Sequence, residues 1–443
     1  MVSVHAHLDP SLLIEPASSR ADHQRLARDL FDALRRLSFD GVGISRETYG
    51  PGETQAMELI ERVAKAHGLT TSWDGARNLV VRLEGREPAL PVVATGSHID
   101  SVPQGGNFDG AAGVIASLLG LLAVREFGPP RRSVELYVLR GEESAWFGGP
   151  CYFGSRALFG QLTPADLASA HRTSGRTLDE HMRAAGVEMA PIEAATPLTP
   201  PSRFACWLEL HIEQGPVLVA RDKPLGLVTG IRGNVRHRRV VCRGEAAHSG
   251  AVPRWLRHDA VLAMAELLVR LDEHWRVLLE WGEDLVLTSG IVETNPGEHA
   301  VSRVPGEVSF ALEYRSQDAK TLKSFGALIE SECTQVAGKR SVTFELGAPV
   351  TTEPARMSEP VRAILEAEAA ASGVAYEIMP SGAGHDSAVF ANAGVPAAML
   401  FVRNERGSHN PHESMELDDF FAAAEVLARG LRRLAEQREE LRS

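Results

Sequence analysis

Apolar residues follow two different spacings in the first third of the chain. In residues 21–37 and 53–67 they recur every three to four positions between charged residues, which predicts two amphipathic helices. Residues 90–95 and 133–139 are short apolar-rich runs that predict buried strands, and the small apolar residues of 111–124 predict a buried helix between them. A strand, a helix and a second strand in this order predict a right-handed crossover and a largely parallel sheet.

From residue 226 the pattern changes to a different order of elements. It predicts strands over 235–242, 285–292, 306–314 and 341–345, and helices over 258–272 and 318–336. This β-α-β-β-α-β order is typical of a ferredoxin-like unit. We therefore predict an α/β protein whose main domain, residues 1–225 and 339–443, carries an inserted α+β domain at 226–338.

Composition narrows the class of protein. With 443 residues, 44% of them hydrophobic and 23% charged, the chain is long enough for two or three globular domains. Its net charge of −12 argues against a nucleic acid or an anionic membrane surface as the main partner. No apolar run is long enough to span a membrane, the N-terminus lacks a signal-peptide pattern, and the four cysteines are scattered, so we expect a cytoplasmic protein.

Polar side chains with metal-binding chemistry stand where the predicted strands end. His98 follows the run at 90–95, and a glycine-rich loop leads from it to Asp109. Asp100 is placed to accept the proton of the second ring nitrogen of His98, which would make it a second-shell residue of a metal site. These residue types also occur in ordinary polar loops, so the stretch alone leaves a surface histidine as the alternative.

Two later strand ends add to this pattern. The run at 133–139 leads to Glu142 and Glu143, and a short apolar strand leads to His211. Two adjacent glutamates usually form a solvated turn. Beside a divalent cation, however, one can bind the ion while the other takes a proton from water.

The longer motifs resemble those of the hydantoinase/carbamoylase-type amidases, within the clan of dinuclear-metal aminoacylases and carboxypeptidases. The resemblance spans about residues 20–435 and rests on motifs that occur in the family's order. They are Gly96-Ser-His-Ile-Asp-Ser-Val102, Gly105-Gly-Asn-Phe-Asp-Gly110, Glu142-Glu143, His211-Ile-Glu-Gln-Gly-Pro216, Gly382-Ala-Gly-His-Asp386 and Ser408-His-Asn-Pro411.

This resemblance implies two divalent metal ions and a role for each matching residue. Asp109 would bridge the ions, with His98 and His211 on one ion and Glu143 and His409 on the other. Zinc suits the ligand set, and manganese, cobalt or nickel fit it as well.

The same resemblance implies roles in catalysis and substrate binding. Glu142 would be the general base that activates the metal-bridging water. His248, contributed by the partner subunit, would stabilise the oxyanion, and Gln214 and Arg315 would bind the substrate.

Several positions depart from the family's pattern and bear on the substrate. Ser302 stands where the family usually has Asn, and Glu313 where it usually has Asp. Trp146 lies in an altered segment after the glutamate pair, where it either stacks on a planar substrate or packs internally. His385 either lines the substrate site or belongs to a structural turn. The metal positions are intact, so we still expect hydrolysis.

The resemblance thus predicts a homodimeric hydrolase of a linear amide or ureide carbon–nitrogen bond. Its substrate would be a small carboxylate-bearing molecule, similar to an N-carbamoyl or N-acyl amino acid, and the insert would serve as lid and dimerisation domain. One alternative is an aminoacylase or dipeptidase on the same scaffold. The other is a catalytically silent relative that binds a ligand, although such a relative has no need for a base at Glu142.

Overall fold

The chain forms two compact units in a computed structural model that describes residues 20–149 and 151–438. The first unit contains the described residues up to Thr229 and those from Met357 onwards, and the second unit is Gly230–Arg356.

Strands and helices are interspersed along the first unit. The second unit has two long strands, several short ones and two long helices. The strands are β1 Thr70–Trp73, β2 Leu79–Leu83, β3 Val92–His98, β4 Val134–Leu139, β5 Phe204–Ile212, β6 Leu225–Ile231, β7 Gly233–Arg243, β8 Ala247–His248, β9 Val286–Thr288, β10 Val292–Glu293, β11 Arg303–Val304, β12 Glu307–Ser316, β13 Thr343–Glu345, β14 Val350–Thr352, β15 Ala355–Arg356, β16 Tyr376–Ser381 and β17 Ala397–Val402. The helices are α1 Arg20–Ser38, α2 Pro51–Ala66, α3 Ala111–Glu126, α4 Phe153–Leu158, α5 Pro164–Leu167, α6 Leu178–Ala184, α7 Met189–Glu193, α8 Val217–Arg221, α9 Ala260–Glu280, α10 Ala319–Arg340, α11 Glu359–Ala371, α12 Asp386–Asn392 and α13 Leu417–Glu436.

The sheet of the first unit has a parallel centre, as predicted. Its strand order is β1-β2-β4-β3-β5-β17-β6, and β16 also pairs with β6. The four strands β4, β3, β5 and β17 run parallel, while the outer pairs are antiparallel. The register sets His98 opposite Leu139 and His211 opposite Phe401. The carboxyl ends of the four parallel strands therefore meet at one edge of the sheet, where open α/β sheets place their sites.

Helix α3 is the centre of the core beneath this edge. Almost all of its residues are buried, and it packs against α13 and the central strands. A side chain at Gly113 would put a Cβ atom 2.1 Å from the carbonyl oxygen of Leu210, so only glycine allows the helix to approach β5 this closely. The apolar faces of α1, α2 and α11 complete the same core.

The second unit is an antiparallel sheet with two helices packed on it, which confirms the ferredoxin-like insert. Its strand order is β10-β12-β7-β13, with β9 also paired to β12 and β14 to β7. Helices α9 and α10 share one hydrophobic core with β7 and β12. The unit extends to Arg356 instead of ending at residue 338, because β13 and β14 both pair with β7.

Two further properties bear on the expectations from composition. The four cysteines, Cys151, Cys206, Cys242 and Cys333, are free thiols. Among the described residues, none of the helices is both long and apolar enough to cross a membrane.

A fully buried ion pair holds the chain just before the glutamate pair. The Arg140 guanidinium donates to Glu53 at 2.7 Å, and both side chains are 0% exposed. Glu53 also accepts the backbone N–H groups of Tyr49 and Gly141, at 2.8 and 2.9 Å. The pair therefore connects α2 to the loop that follows β4.

We expect Arg140→Met to lower the free energy of unfolding by about 3–5 kcal/mol, because it leaves the buried Glu53 carboxylate without its counter-charge. Arg183→Met removes an exposed arginine that is paired with Asp179, so it serves as the control and should have little effect. Chemical denaturation of both variants measures the difference. Equal losses would contradict the importance assigned to the buried pair.

Candidate metal centre and active site

The side chains predicted as metal ligands converge at the carboxyl edge of the parallel strands. His98 is the last residue of β3, and His211 is the next-to-last residue of β5. Asp109 comes two residues before α3, Glu143 follows β4, and His409 lies in the loop after β17. Five ligand positions that are far apart in sequence are thus delivered to one place by the strand order.

His98, His211 and Asp109 form the first ligand group. The two Nε2 atoms are 3.3 Å apart, and Asp109 Oδ1 lies 3.6 Å from that of His98 and 3.2 Å from that of His211. Nδ1 of His98 lies 3.1 Å from the carbonyl oxygen of Asp100, and Nδ1 of His211 lies 3.0 Å from that of Ile212. Since these partners are acceptors, each Nδ1 carries a proton, so each ring in its neutral form would direct the lone pair of Nε2 to the same point.

Asp109, Glu143 and His409 form the second group. His409 Nε2 is 3.5 Å from Asp109 Oδ2 and 3.5 Å from Glu143 Oε1. The two oxygens of Asp109 therefore face different groups, which is the arrangement of a bridging carboxylate. The ligand atoms of each group lie within 4.8 Å of one another, and so do those of His98, Glu142 and Glu143.

The chemistry of these donors fits two divalent cations. Asp109 Oδ1 and Glu143 Oε1 are buried and have no hydrogen-bond partner among the described residues. An unpaired buried carboxylate oxygen is costly, and two imidazole lone pairs that face each other repel. A cation between the donors of each group removes both costs, and histidine with carboxylate is a usual ligand set for zinc and similar ions.

The pKa shifts of the protein groups also indicate a site for cations. Burial raises the pKa of Glu142 well above its usual range, although His98 opposes the effect. Burial and the charge of Asp109 raise the pKa of Glu143. Burial would lower the pKa of His98, but the carboxylates of Glu142, Asp100 and Asp109 outweigh it and raise that pKa well above its usual range. The pocket thus holds an excess of negative charge that favours a bound cation.

Asp100 does more than the predicted orientation of one histidine ring. Its Oδ1 lies 3.2 Å from His98 Nδ1 and accepts the backbone N–H of Glu142 at 3.1 Å. Its Oδ2 accepts the backbone N–H of Glu143 at 3.2 Å and the hydroxyl of Thr48 at 2.5 Å. The Asp100 carboxylate therefore positions the ring of His98 and the backbone of both Glu142 and Glu143.

His409 is presented by a constrained turn. It adopts a left-handed conformation, with φ of +59°, which is unfavourable for a residue with a side chain. The Asn410 side chain stabilises the turn by donating to the carbonyl oxygens of Arg406 and Ser408, at 2.9 and 3.1 Å. The His409 side chain is 53% exposed, so this ligand faces the open side of the site.

Gln214 and His385 lie in the same cluster. Gln214 donates from Nε2 to Asp109 Oδ2 at 2.7 Å, and its buried Oε1 has no hydrogen-bond partner within the described ranges. The His385 ring is buried 4.4 Å from the ring of His211 and bonds to Ser381 at 3.1 Å. Burial and the neighbouring charge of His211 lower the pKa of His385 well below its usual range. His385 is therefore a neutral side chain near neutral pH.

Trp146 is packed inside the first unit. Its Nε1 donates to the carbonyl oxygen of Ser101 at 2.7 Å, and its ring stacks on His171 with the planes 4° apart. The side chain is 7% exposed. Of the two interpretations of Trp146, these contacts favour internal packing over stacking on a substrate.

Three predicted site residues belong to the second unit. His248 is exposed on β8 and pairs with Arg303 of β11, and Ser302 accepts the backbone N–H of Ser249. Nδ1 of His248 accepts the N–H groups of Gly250 and Ala251 at 3.1 and 3.2 Å. The structure thus brings Ser302 beside the strand of His248, and it sets Arg315 apart on β12.

The remaining member of this set, Arg315, lies in a charged cluster. Its guanidinium contacts Glu313 at 3.0 Å, and Glu313 also accepts from Arg236 at 2.5 Å. Arg315 and Arg236 therefore contact the same carboxylate.

The sequence analysis missed two buried residues that support the ligands. Glu413 accepts the backbone N–H of Asp109 at 3.2 Å, and Asn404 accepts that of Gln214 at 2.9 Å. Burial and the charge of Asp109 raise the pKa of Glu413 to about 7. An acidic residue shortly after Ser408-His-Asn-Pro411 was the only signal for Glu413, because Asp109, whose backbone N–H it accepts, is about 300 positions away in the chain.

Comparison with known proteins establishes the family. The model of Peptidase family M20/M25/M40 matches residues 94–433, which is more than half of the chain. The chain belongs to this family. It is therefore a hydrolase of a metal-dependent family.

Individual relatives confirm the resemblance to hydantoinase/carbamoylase-type amidases. The chain is 33% identical over 398 residues to an allantoate amidohydrolase from Escherichia coli, an alignment that covers 89% of this chain and 94% of that protein. It is 33% identical over 417 residues to an N-carbamoyl-L-amino-acid amidohydrolase from Paenarthrobacter aurescens, covering 94% and 98%. A solved amidase of the hydantoinase/carbamoylase family from Burkholderia multivorans superimposes with a TM-score of 0.81 at 26% identity, covering 94% of this chain and 98% of that one.

We expect His211→Ala and His409→Ala each to lower the number of bound divalent ions, because each removes a ligand from a different group. His412→Ala changes an exposed histidine of the same loop and should keep the full metal content. Elemental analysis after zinc loading and desalting measures the ions per chain. Full metal content in either ligand variant would exclude the corresponding group as a metal site.

Proposed function

We propose that this M20-family enzyme hydrolyses a linear ureide or amide carbon–nitrogen bond in a small carboxylate-bearing molecule. The substrate class is N-carbamoyl or N-acyl amino acid-like compounds. The observation that carries the proposal is the place of Glu142, a buried carboxylate whose Oε2 lies 3.9 Å from Nε2 of the predicted ligand His98. A protein that only binds a ligand has no need for such a base.

Glu142 is the proton-transfer group of the proposed reaction. Bound divalent ions, held by His98, Asp109, Glu143, His211 and His409, would supply Lewis acidity and bring the pKa of a water molecule towards neutrality. Glu142 accepts the proton of the attacking water and returns it to the departing nitrogen. Burial raises the pKa of Glu142, and a carboxyl that holds a proton more readily than usual is better suited to return it to the departing nitrogen.

His248 is suited to stabilise the oxyanion. Because Nδ1 accepts two backbone N–H groups, the ring proton of the neutral imidazole resides on Nε2. Nε2 can therefore donate to the carbonyl oxygen of the substrate as negative charge develops on it. Ser302, in the neighbouring turn, would contact the substrate at the position where the family usually has Asn.

Arg315 is proposed to bind the carboxylate of the substrate. A planar guanidinium can form two parallel hydrogen bonds with a carboxylate, and the resemblance to the amidases assigns this contact to Arg315. Gln214 and His385 are proposed as contacts at the other end of the substrate. Gln214 is anchored to Asp109 through Nε2, so Oε1 is left to accept a substrate N–H.

Two further points belong to the same proposal. Zinc is the ion we propose, and manganese, cobalt and nickel suit the same histidine and carboxylate donors. A cytoplasmic location accords with four cysteines that are free thiols.

The substrate class is tested by turnover after chelation and re-addition of each of these four metals. We expect metal-dependent release of ammonia from an N-carbamoyl amino acid, or of free amine from an N-acetyl amino acid. Glu142→Gln should lower turnover at least about 100-fold with its metal content preserved, because the ligands remain and the base is lost.

Glu405→Gln is the control, since Glu405 is an exposed glutamate of the loop that carries His409. Unchanged turnover in Glu142→Gln would refute the role of the base. Cleavage of a dipeptide alone would favour the dipeptidase alternative, and no turnover with two ions bound would favour the silent relative.

We also propose a homodimer in which His248 of each subunit completes the site of the other. Co-expression of a Glu142→Gln chain and a His248→Ala chain with different affinity tags allows the mixed dimer to be purified. The mixed dimer then has one intact site and should show about half of the wild-type turnover, although each variant alone is nearly inactive. A mixed dimer without activity would place His248 in its own subunit's site, and failure to isolate one would argue against the dimer.

A further inference from the structure

Glu413 lies between the loop that carries Asp109 and the loop that carries His409. Its Oε1 accepts the backbone N–H groups of Phe108 and Asp109, at 2.9 and 3.2 Å. The side chain is 7% exposed, and a Cβ atom on Gly106 would lie 2.1 Å from its carboxyl group. Glu413 is therefore packed tightly against the backbone of the Asp109 loop.

Ser408 connects the other oxygen of Glu413 to the bridging ligand. The Ser408 hydroxyl lies 2.5 Å from Asp109 Oδ2 and 2.7 Å from Glu413 Oε2. Ser408 is also the residue before His409, whose backbone is in the left-handed region. A displacement of Ser408 would therefore change both the side chain of Asp109 and the turn that presents His409.

We propose that Glu413 is a positioning residue that holds Asp109 and His409 in register, and that binding of the ion between Asp109, Glu143 and His409 depends on it. The inference rests on the proposed dinuclear site, but it concerns a residue that contributes no ligand atom to that site. The ion between His98, Asp109 and His211 depends on Glu413 less, since Asp100 and Ile212 orient those two rings.

The proposal predicts different outcomes for two substitutions at one position. In Glu413→Gln, the amide oxygen can accept the two backbone N–H groups and the amide nitrogen can donate to the Ser408 hydroxyl, so the three contacts are retained. In Glu413→Ala all of them are lost, and the loop of Asp109 has no partner in their place. A positioning role therefore tolerates glutamine and does not tolerate alanine.

The test is titration of the full-length, metal-stripped protein with Co²⁺, followed by visible absorption and by elemental analysis. We expect Glu413→Ala to weaken the second Co²⁺ by about 10- to 100-fold, with a changed absorption band, and Glu413→Gln to stay within a few-fold of wild type. Turnover on an N-carbamoyl amino acid should fall in Glu413→Ala and recover in Glu413→Gln. Because Co²⁺ binding needs no substrate, this result is independent of the proposed substrate class.

Glu405→Ala provides the matched control, because it removes an exposed glutamate from the same loop and should leave both Co²⁺ ions bound. If Glu413→Ala does not fold, Ser408→Ala decides, since it removes only the connecting hydroxyl and should still weaken the second ion. Two tightly bound ions in Glu413→Ala, or in Ser408→Ala in that case, would overturn the proposal. So would an equally severe loss in Glu413→Gln, which would show that the negative charge matters and not the hydrogen bonds.

Discussion

The active-site loops depend on buried carboxylates that accept backbone N–H groups. Asp100 accepts those of the glutamate pair, Glu53 that of Gly141, and Glu413 that of Asp109. Glu213 holds the loop after His211 in the same way, through the first N–H groups of α8. A carboxylate can accept several N–H groups at once, and the bonds are strengthened by its charge. Each ligand-bearing loop therefore has a rigid support one layer behind the ligands.

This arrangement concentrates negative charge, and the structure compensates for it in two ways. Arg140 and Arg46 are fully buried cations on the far side of the loops. Burial lowers the pKa of Arg46 to about 10 against the opposing charges of Asp100 and Glu413, so it stays charged. The rest of the excess is placed at the ligands, where Asp109 and Glu143 keep unpaired oxygens that divalent ions would satisfy. The same buried carboxylates therefore affect both the stability of the fold and its affinity for cations.

The two units contribute different chemistry. The first unit contains every predicted metal ligand and the proposed base, at the carboxyl ends of the strands of a buried parallel sheet and in the loops that follow them. The second unit contains His248, Ser302 and Arg315, which are the residues proposed to contact the oxyanion and the substrate. Substitutions relative to the usual family pattern at Ser302 and Glu313 fall in this second unit, while the metal ligands are unchanged. Differences in substrate can therefore arise without a change in the hydrolytic chemistry.

The sequence by itself determined the fold class and was enough to predict which side chains would meet as candidate metal ligands. Apolar runs marked the strands, and His98, the glutamate pair and His211 stood at their ends, which meet wherever strands are parallel. Only the tertiary structure decided the contact of Glu413 with the backbone of Asp109, the packing of Trp146 on His171 and the extent of the insert to Arg356. Those features depend on contacts between segments distant in the chain. Local pattern encodes where an element starts and which face is apolar, but not which distant backbone N–H a buried carboxylate will reach.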